Sequence, residues 1–176
     1  PRQRRMPGKI IGIFIVIAAL TFGAVVYYSQ VYYYYEDLPA DQARVVLTPL
    51  DGSSPEPIAF SNFNGIDANS SPIRLRACFT TTETPQSLAN RFQPYPGAEP
   101  RNAPDWFDCF DAAAIADRIS DGTARVFASE RNFEFGIDRV VAITDGGQGY
   151  IWEEINECGD KAYDGTPLGE DCPARD

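Results

Sequence analysis

The sequence predicts an α+β protein, in which one N-terminal transmembrane helix is followed by a small antiparallel-sheet domain with two short helices and two disulfides. Three observations predict this class. An uncharged apolar stretch runs from Ile10 to Val31. Beyond it, short runs with strand-like alternation are separated by turns rich in Gly and Pro. All four cysteines also lie beyond it, and an even number suggests two bridges.

The apolar stretch is long enough to span a membrane, because a helix of this length reaches roughly 33 Å at about 1.5 Å per residue. It is longer than the apolar region of a typical signal peptide, and no A-x-A-like cleavage site follows it. We therefore expect an uncleaved anchor. Pro39 disfavours helical geometry at Leu38, so the helix should end near that residue.

Charge predicts the orientation of this anchor. The basic residues before the helix place the N-terminus in the cytoplasm by the positive-inside rule. We assign residues 1–9 to a cytoplasmic basic tail, 10–35 to the transmembrane helix in a bacterial inner membrane, and 36–176 to an acidic periplasmic domain. The basic residues before the helix are Arg2, Arg4, Arg5 and Lys9.

Two sets of residues on the helix point to its surroundings. Gly12, Ala19 and Gly23 share one face, since separations of seven and eleven residues are near-integer turns. Such a small-residue face suits a partner helix, although glycine is common in membrane helices in any case. Six tyrosines at the outer end predict a membrane-interface belt, with a protein docking surface as the alternative. These are Tyr27, Tyr28, Tyr32, Tyr33, Tyr34 and Tyr35.

The four cysteines are expected to form disulfides in an oxidising compartment. Three connectivities are open. We favour Cys158 with Cys172, because the polar, turn-rich tail between them would otherwise fray, and Cys78 would then pair with Cys109. The sequence has no C-x-x-C pair and no histidine, which argues against zinc and haem sites.

Alternation and turn residues predict the elements of the domain. Thr84 should cap a short helix, and Asp108 or Asp111 should cap a second one that stops at Asp121–Gly122. In the strand Ile73–Thr80, the alternate residues from Ile73 should face inward, with Arg76 and Cys78 on the other side. The other predicted strands are residues 43–50, 124–129, 138–144 and 150–155, the last two joined by the hairpin DGGQG.

Few residues in the domain indicate chemistry. Without histidine, a Ser-His-Asp arrangement cannot form, so we expect neither an enzyme nor a cofactor or metal site. Glu153 and Glu154 should lie on opposite faces of a strand and so cannot act as a pair. Trp106 and Trp152 are expected to be buried anchors.

The charge of the domain limits its partners. Four of the 15 basic residues precede the helix, which leaves 11 against 25 acidic residues, a net charge of −14. A surface this acidic repels phosphate backbones, so nucleic acid is an improbable partner. The charge either keeps an exported domain soluble or attracts a basic protein.

Four stretches resemble an uncharacterised family of membrane-anchored proteins of Rhodobacter-like alphaproteobacteria. They are Gly65–Thr80, Trp106–Ile115, Arg131–Ile143 and Tyr150–Gly159. The resemblance covers most of the domain but not Cys172. It implies a periplasmic location and a single anchor, and it implies no activity.

Two functions fit these expectations. The first is a non-catalytic accessory subunit of a larger inner-membrane complex, held by integral membrane partners and lipid. Respiratory and photosynthetic electron-transfer complexes are the abundant candidates in such bacteria. The second is a free-standing, membrane-anchored binding module whose acidic face docks a basic periplasmic protein such as a cytochrome c.

Overall fold

A computed structural model of the chain describes residues 7–169, 172 and 173, which fall into two compact units divided between Tyr35 and Glu36. The first unit holds the apolar helix and the second holds the sheet domain. Arg2, Arg4 and Arg5 of the basic tail lie outside the described residues.

The first unit is a helix without a buried residue. Helix α1 spans Gly8–Tyr28 and continues as a π-helical turn, Ser29–Tyr33. Together they give 26 residues with a mean hydropathy of 2.6 in the most apolar part. Among the described residues, one helix, near the N-terminus, is thus long and apolar enough to cross a membrane.

The predicted end of this helix near Leu38 is wrong. The helical conformation stops at Tyr33, and Glu36–Leu38 forms strand β1, which pairs with β4. The proline at position 39 favours extended geometry at Leu38, as expected, but a strand meets that preference as well as a helix end does. The strand also gives the backbone groups of these residues partners in the sheet.

The second unit is built on a six-stranded antiparallel sheet with the strand order β1-β4-β5-β8-β7-β6. Strands β6, β7 and β8 are consecutive in the chain, and β8 then pairs with β5 near the middle of the sheet. A separate two-stranded ribbon joins β2 to β3. The strands after β1 are β2 Val46–Leu47, β3 Glu56–Pro57, β4 Ser61–Asp67, β5 Arg76–Thr80, β6 Ala124–Glu134, β7 Ile137–Thr144 and β8 Gln148–Ile155.

Both faces of the sheet are covered. On the first face, alternate residues of β5, β7 and β8 form one core with side chains from the β2 region, from α2 and from Phe92. The predicted inward direction of Leu75, Ala77 and Phe79 is confirmed, since all three belong to this core. The other members include Val45, Leu47, Ile58, Leu88, Val141, Ile143 and Ile151.

The second face carries Trp152, which is 0% exposed and meets the edge of Phe110 at 6.2 Å between ring centroids. Arg76 points to this face as expected, but it is buried, because its guanidinium donates to the carbonyls of Arg101 and Asn102. Trp106 departs from expectation: it is 36% exposed and packs against its neighbour Phe107 rather than in a core.

The two short helices have the predicted caps. Helix α2 spans Pro85–Ala89, and the side chain of Thr84 accepts from the backbone N–H of Ser87. Helix α3 spans Ala112–Ser120, and Asp111 caps it through Ala114. Gly122, just beyond α3, has a φ of +80°, as a C-terminal glycine requires.

Candidate functional site

A cleft of about 490 Å³ opens beside the second face of the sheet, along β7 and the end of β8. Residues from four parts of the chain line it: the irregular segment before α3, the bulged end of β6, strand β7, and the end of β8 with the tail that follows. The lining includes Tyr95, Arg131, Asn132, Asp138, Glu154 and Asn156.

Two carboxylates lie directly opposite each other at the base of this cleft. Asp138 on β7 pairs with Glu154 on β8 in the sheet register, and both residues are buried. Like charges in opposing positions of an antiparallel pair destabilise the sheet. The first face shows the opposite arrangement one residue along, where Arg139 faces Glu153 and donates to it at 2.8 Å. On the second face no arginine lies opposite either carboxylate in the register, which singles out the cleft.

Asp138 is fixed by hydrogen bonds to only one of its oxygens. Its Oδ1 accepts from the backbone N–H of Asn132 at 2.8 Å and from the amide of Asn156 at 2.7 Å. Asn132 adopts a φ of +47° in the bulged part of β6, a conformation unusual for a residue other than glycine. This strained turn aims the N–H of Asn132 at the carboxylate, so the position of Asp138 is set by its surroundings.

The other oxygen, Oδ2, is buried and makes no hydrogen bond within the described part of the chain. The nearest cation is Arg131, whose Nη1 lies 3.5 Å away. The Arg131 side chain is 49% exposed and stacks over the ring of Tyr95, with its guanidinium carbon 5.1 Å from the ring centroid. Arg131 thus covers Asp138 from the solvent side without closing a hydrogen bond.

The phenol of Tyr95 remains neutral in this environment. Burial raises its pKa, and the negative charges of Asp138 and Glu154 raise it further, outweighing the opposing effect of Arg131. A neutral hydroxyl beside two carboxylates can both donate and accept a hydrogen bond. Tyr95 therefore adds to the cleft a hydroxyl group that can act as a hydrogen-bond donor or as an acceptor.

Glu154 is bound through one oxygen as well. Its Oε1 accepts from the indole N–H of Trp152 at 2.7 Å and from the backbone N–H of Glu99. Burial raises the pKa of Glu154 above its ordinary value, and these two hydrogen bonds oppose the shift. The ionised form is therefore held at a cost to the stability of the fold.

Replacing this carboxylate should stabilise the protein. Because the folded state binds the Glu154 proton more tightly than the unfolded state does, its contribution to stability falls as the pH rises from 4.5 through its raised pKa. Glu154→Gln keeps an acceptor for Trp152 and should add about 1 kcal/mol of stability at pH 7. Thermal unfolding of the full chain in detergent between pH 4 and pH 8 measures this.

The matched control is Glu134→Gln, which removes the same charge from an exposed residue of β6. It should leave both the unfolding midpoint and its pH dependence close to those of the wild type. An identical pH profile for wild type and Glu154→Gln would contradict the expected cost of burial.

The tail beyond β8 closes one side of the cleft. Cys158, Asp160 and Gly169 line it, and the bond between Cys158 and Cys172 holds this part of the tail in a loop. The loop meets the β6–β7 turn at Gly136, where an added Cβ would lie 2.4 Å from the Cα of Gly159. The approach is so close that a side chain at Gly136 would have to displace the tail.

The predicted cysteine pairs are both confirmed: Cys78 bonds to Cys109, and Cys158 bonds to Cys172. The first bond links strand β5 to the segment that covers the second face. The second bond shapes the cleft, a role that the spacing of the cysteines did not indicate.

The membrane-related residues all lie in the first unit. Gly12, Ala19 and Gly23 are exposed on α1, and a Cβ on either glycine would meet no atom within 4 Å. Their role in helix packing stays a prediction, as does the interfacial role of the tyrosines. Of these, Tyr27 and Tyr28 end α1, Tyr32 and Tyr33 lie in the π-helical turn, and Tyr34 and Tyr35 follow it.

Sequence reasoning did not find the cleft. One signal was present, because alternation in the apolar strand DRVVAIT puts Asp138 on the same face as Val140 and Ala142. A carboxylate at a buried strand position needs a hydrogen-bond or ionic partner, and the neighbouring sequence does not indicate which residue that partner is. Over residues 7–169, 172 and 173, no group of three or more His, Cys, Asp or Glu side chains forms a metal-binding cluster.

Comparison with known proteins gives a match to a family model. A family model described as "Family of unknown function (DUF6446)" matches residues 45–173, which cover the cleft and all four cysteines. No curated protein matches the chain, and no solved structure matches it.

Proposed function

We propose that this chain, which belongs to the DUF6446 family of unknown function, is a non-catalytic accessory subunit of a bacterial inner-membrane complex. In this proposal, helix α1 spans the inner membrane and packs on integral membrane partners. The sheet domain faces the periplasm and presents its acidic surface to the rest of the complex.

The observation that carries the proposal is an exposed apolar helix of 26 residues preceding a domain closed by two disulfides. An apolar helix that buries none of its residues within the protein finds a suitable environment in lipid or against another helix. Disulfides persist on the oxidising side of a membrane, which supports a periplasmic domain.

The distribution of charge supports the same orientation. Four basic residues precede the uncharged apolar stretch that begins at Ile10, and every acidic residue follows that stretch. Basic residues beside a membrane span favour the cytoplasmic side, which would place the domain outside. The resemblance to proteins of alphaproteobacteria makes respiratory and photosynthetic complexes the first ones to test.

Affinity purification of the tagged chain from membranes in mild detergent tests the proposal. The wild type is compared with the variant Ala19→Leu. We expect integral membrane proteins to co-purify with the wild type. Ala19→Leu fills the small-residue face of Gly12, Ala19 and Gly23 and should reduce their recovery about fivefold or more, since such faces depend on close backbone approach.

The matched control is Ala18→Leu, which makes the same chemical change about 100° around the helix. It should leave recovery unchanged. A chain that purifies alone and monodisperse, or equal losses for both leucine variants, would defeat the proposed helix contact.

A second function is favoured by the net charge of −14 beyond the helix. In this alternative, the chain is a free-standing module whose acidic face docks a basic periplasmic protein such as a cytochrome c. Electrostatic docking loses affinity steeply as salt rises, whereas a packed subunit does not. Recovery of the partner at low and at high ionic strength separates the two functions.

A further inference from the structure

Nearby cations compensate the buried acidic pair in the cleft only in part. Asp138 is 1% exposed and lies opposite Glu154, which is also buried. A buried carboxylate pair of this kind is costly unless a positive charge compensates it. The compensation within the described residues is incomplete, since Arg131 approaches Asp138 only to 3.5 Å and is half exposed. Arg101 lowers the pKa of Glu154 through its charge, but these two residues form no ion pair among the described residues.

The unsatisfied atom indicates where a ligand would bind. Oδ2 of Asp138 is buried, lines the cleft and makes no hydrogen bond among the described residues. A buried acceptor without a hydrogen bond costs free energy, which a ligand that supplies an N–H group would recover. The neutral hydroxyl of Tyr95 lies beside this carboxylate, and the interaction between the two helps to raise the pKa of Tyr95.

The other charged residues of the cleft determine which sign of charge the ligand should carry. Glu157 and Asp160 add to the two buried carboxylates along its rim, against the single positive charge of Arg131 among the described lining residues. The space, about 490 Å³, is many times the roughly 30 Å³ of one water molecule. It can therefore receive the end of a long side chain.

We propose that this cleft binds a cationic side chain, lysine or arginine, of a partner protein. The incoming N–H group donates to Oδ2 of Asp138, and Arg131 leaves its place over Tyr95 to make room. Arg131 is thus an internal counter-ion that occupies the site when no partner is bound. The inference rests on the proposed role in binding partners and adds the chemistry by which one of them is recognised.

Arg131 is suited to such an exchange. It holds Asp138 without a hydrogen bond, and half of its side chain is already in solvent. Asn132 and Asn156 keep Oδ1 in position whether or not Arg131 is present, because their hydrogen bonds do not involve it. The carboxylate therefore stays aimed into the cleft when the arginine moves.

Binding of a basic peptide to the purified full-length chain in detergent tests the proposal. The probe is a fluorescent peptide of alternating Lys and Gly, followed by anisotropy at low ionic strength, and its comparison is the same peptide with every lysine acetylated. Asp138→Asn should weaken binding of the lysine peptide at least about tenfold, the scale for losing one partner of a buried charge pair. This variant keeps Oδ1 as an acceptor, so the hydrogen bonds from Asn132 and Asn156 remain.

Two further variants make the test specific. Asp117→Asn removes one charge from the exposed surface of α3 and should change the affinity less than twofold. Arg131→Gln removes the internal counter-ion and should raise the affinity about threefold or more. An increase of this kind is not expected of a residue that merely supports the fold.

Three results would overturn the proposal. They are equal losses for Asp138→Asn and Asp117→Asn, weaker binding by Arg131→Gln, and equal binding of the lysine and acetylated peptides by the wild type. Should Asp138→Asn fail to fold, Arg131→Gln still decides. The purified chain alone is measured, so a failure here is distinct from failure to co-purify with a membrane complex.

Discussion

Replacing Arg139 with methionine is expected to destabilise the sheet domain by about 3–5 kcal/mol, the cost of leaving a buried carboxylate without its partner. Arg139 donates to Glu130 at 2.9 Å and to Glu153 at 2.8 Å, which ties β7 to both neighbouring strands. Glu153 is buried and also accepts from the N–H of Leu75 on the approach to β5. Urea unfolding of the full chain in detergent, followed by the fluorescence of its two tryptophans, Trp106 and Trp152, measures the loss.

A second substitution separates the charge effect from the loss of packing. Burial already raises the pKa of Glu153, and the Arg139 guanidinium opposes that shift. Arg139→Met with Glu153→Gln removes the orphaned charge and should recover most of the stability. Arg125→Met, an exposed position on β6, should change stability by less than about 0.5 kcal/mol. Equal effects of the two single methionine variants would show that the buried pair contributes nothing.

Removing the bond between Cys78 and Cys109 should cost about 4 kcal/mol, because it closes a loop with a sequence separation of 31. The loop carries the carbonyls that hold Arg76, and Phe110 follows it directly, so its release would also expose the second face of the sheet. The double variant Cys78→Ala/Cys109→Ala, unfolded in urea beside the wild type, gives the magnitude.

The comparison is Cys158→Ala/Cys172→Ala, which opens a shorter loop with a separation of 14. It should cost less, about 3 kcal/mol at most, since that loop lies at the edge of the domain. Its main effect should be on the cleft, which the loop helps to line. Unfolding curves that are indistinguishable from the wild type for both double variants would contradict this ranking.

The sequence predicts the parts of the fold where a local pattern and the final environment agree. The strands near 73–80, 124–129, 138–144 and 150–155, the two capped helices and the hairpin between β7 and β8 all follow from alternation and turn residues. The predicted strand at 43–50 is only partly right, since just Val46–Leu47 pair as a strand. Val45 and Leu47 of this segment are buried in the core, whereas Leu50 is exposed.

Strand β4 has no such pattern and was missed. It reads SNFNGID, its pairing with β5 is interrupted between Ser61 and Asn64, and Asn62 has a φ of +52°. At Gly65, a Cβ would collide with the ring of Phe63, so the glycine serves close packing rather than a turn. Such a strand forms because of its pairing with adjacent strands, and a single sequence does not show which strands will be adjacent.

The cleft was missed for a related reason. The proximity of Asp138 to Glu154 depends on the register of two strands. The positions of Tyr95 and Arg131 in the cleft depend on an irregular segment and on a bulge in β6, respectively. Trp106 illustrates the same limit, because its apolar area predicted burial while the structure leaves it 36% exposed. Pairing across the sheet, rather than composition, decides these environments.

Both disulfides join cysteines that are nearest neighbours in the order of the chain, first with second and third with fourth. In the proposed topology the N-terminal tail stays in the cytoplasm and the domain crosses the membrane starting from Glu36, so Cys78 and Cys109 would reach the far side before Cys158 and Cys172. An oxidant that couples thiols as they emerge would therefore make only native links. With this order of arrival, the protein would form its disulfides without the rearrangement that is needed when the bonded pairs overlap along the chain.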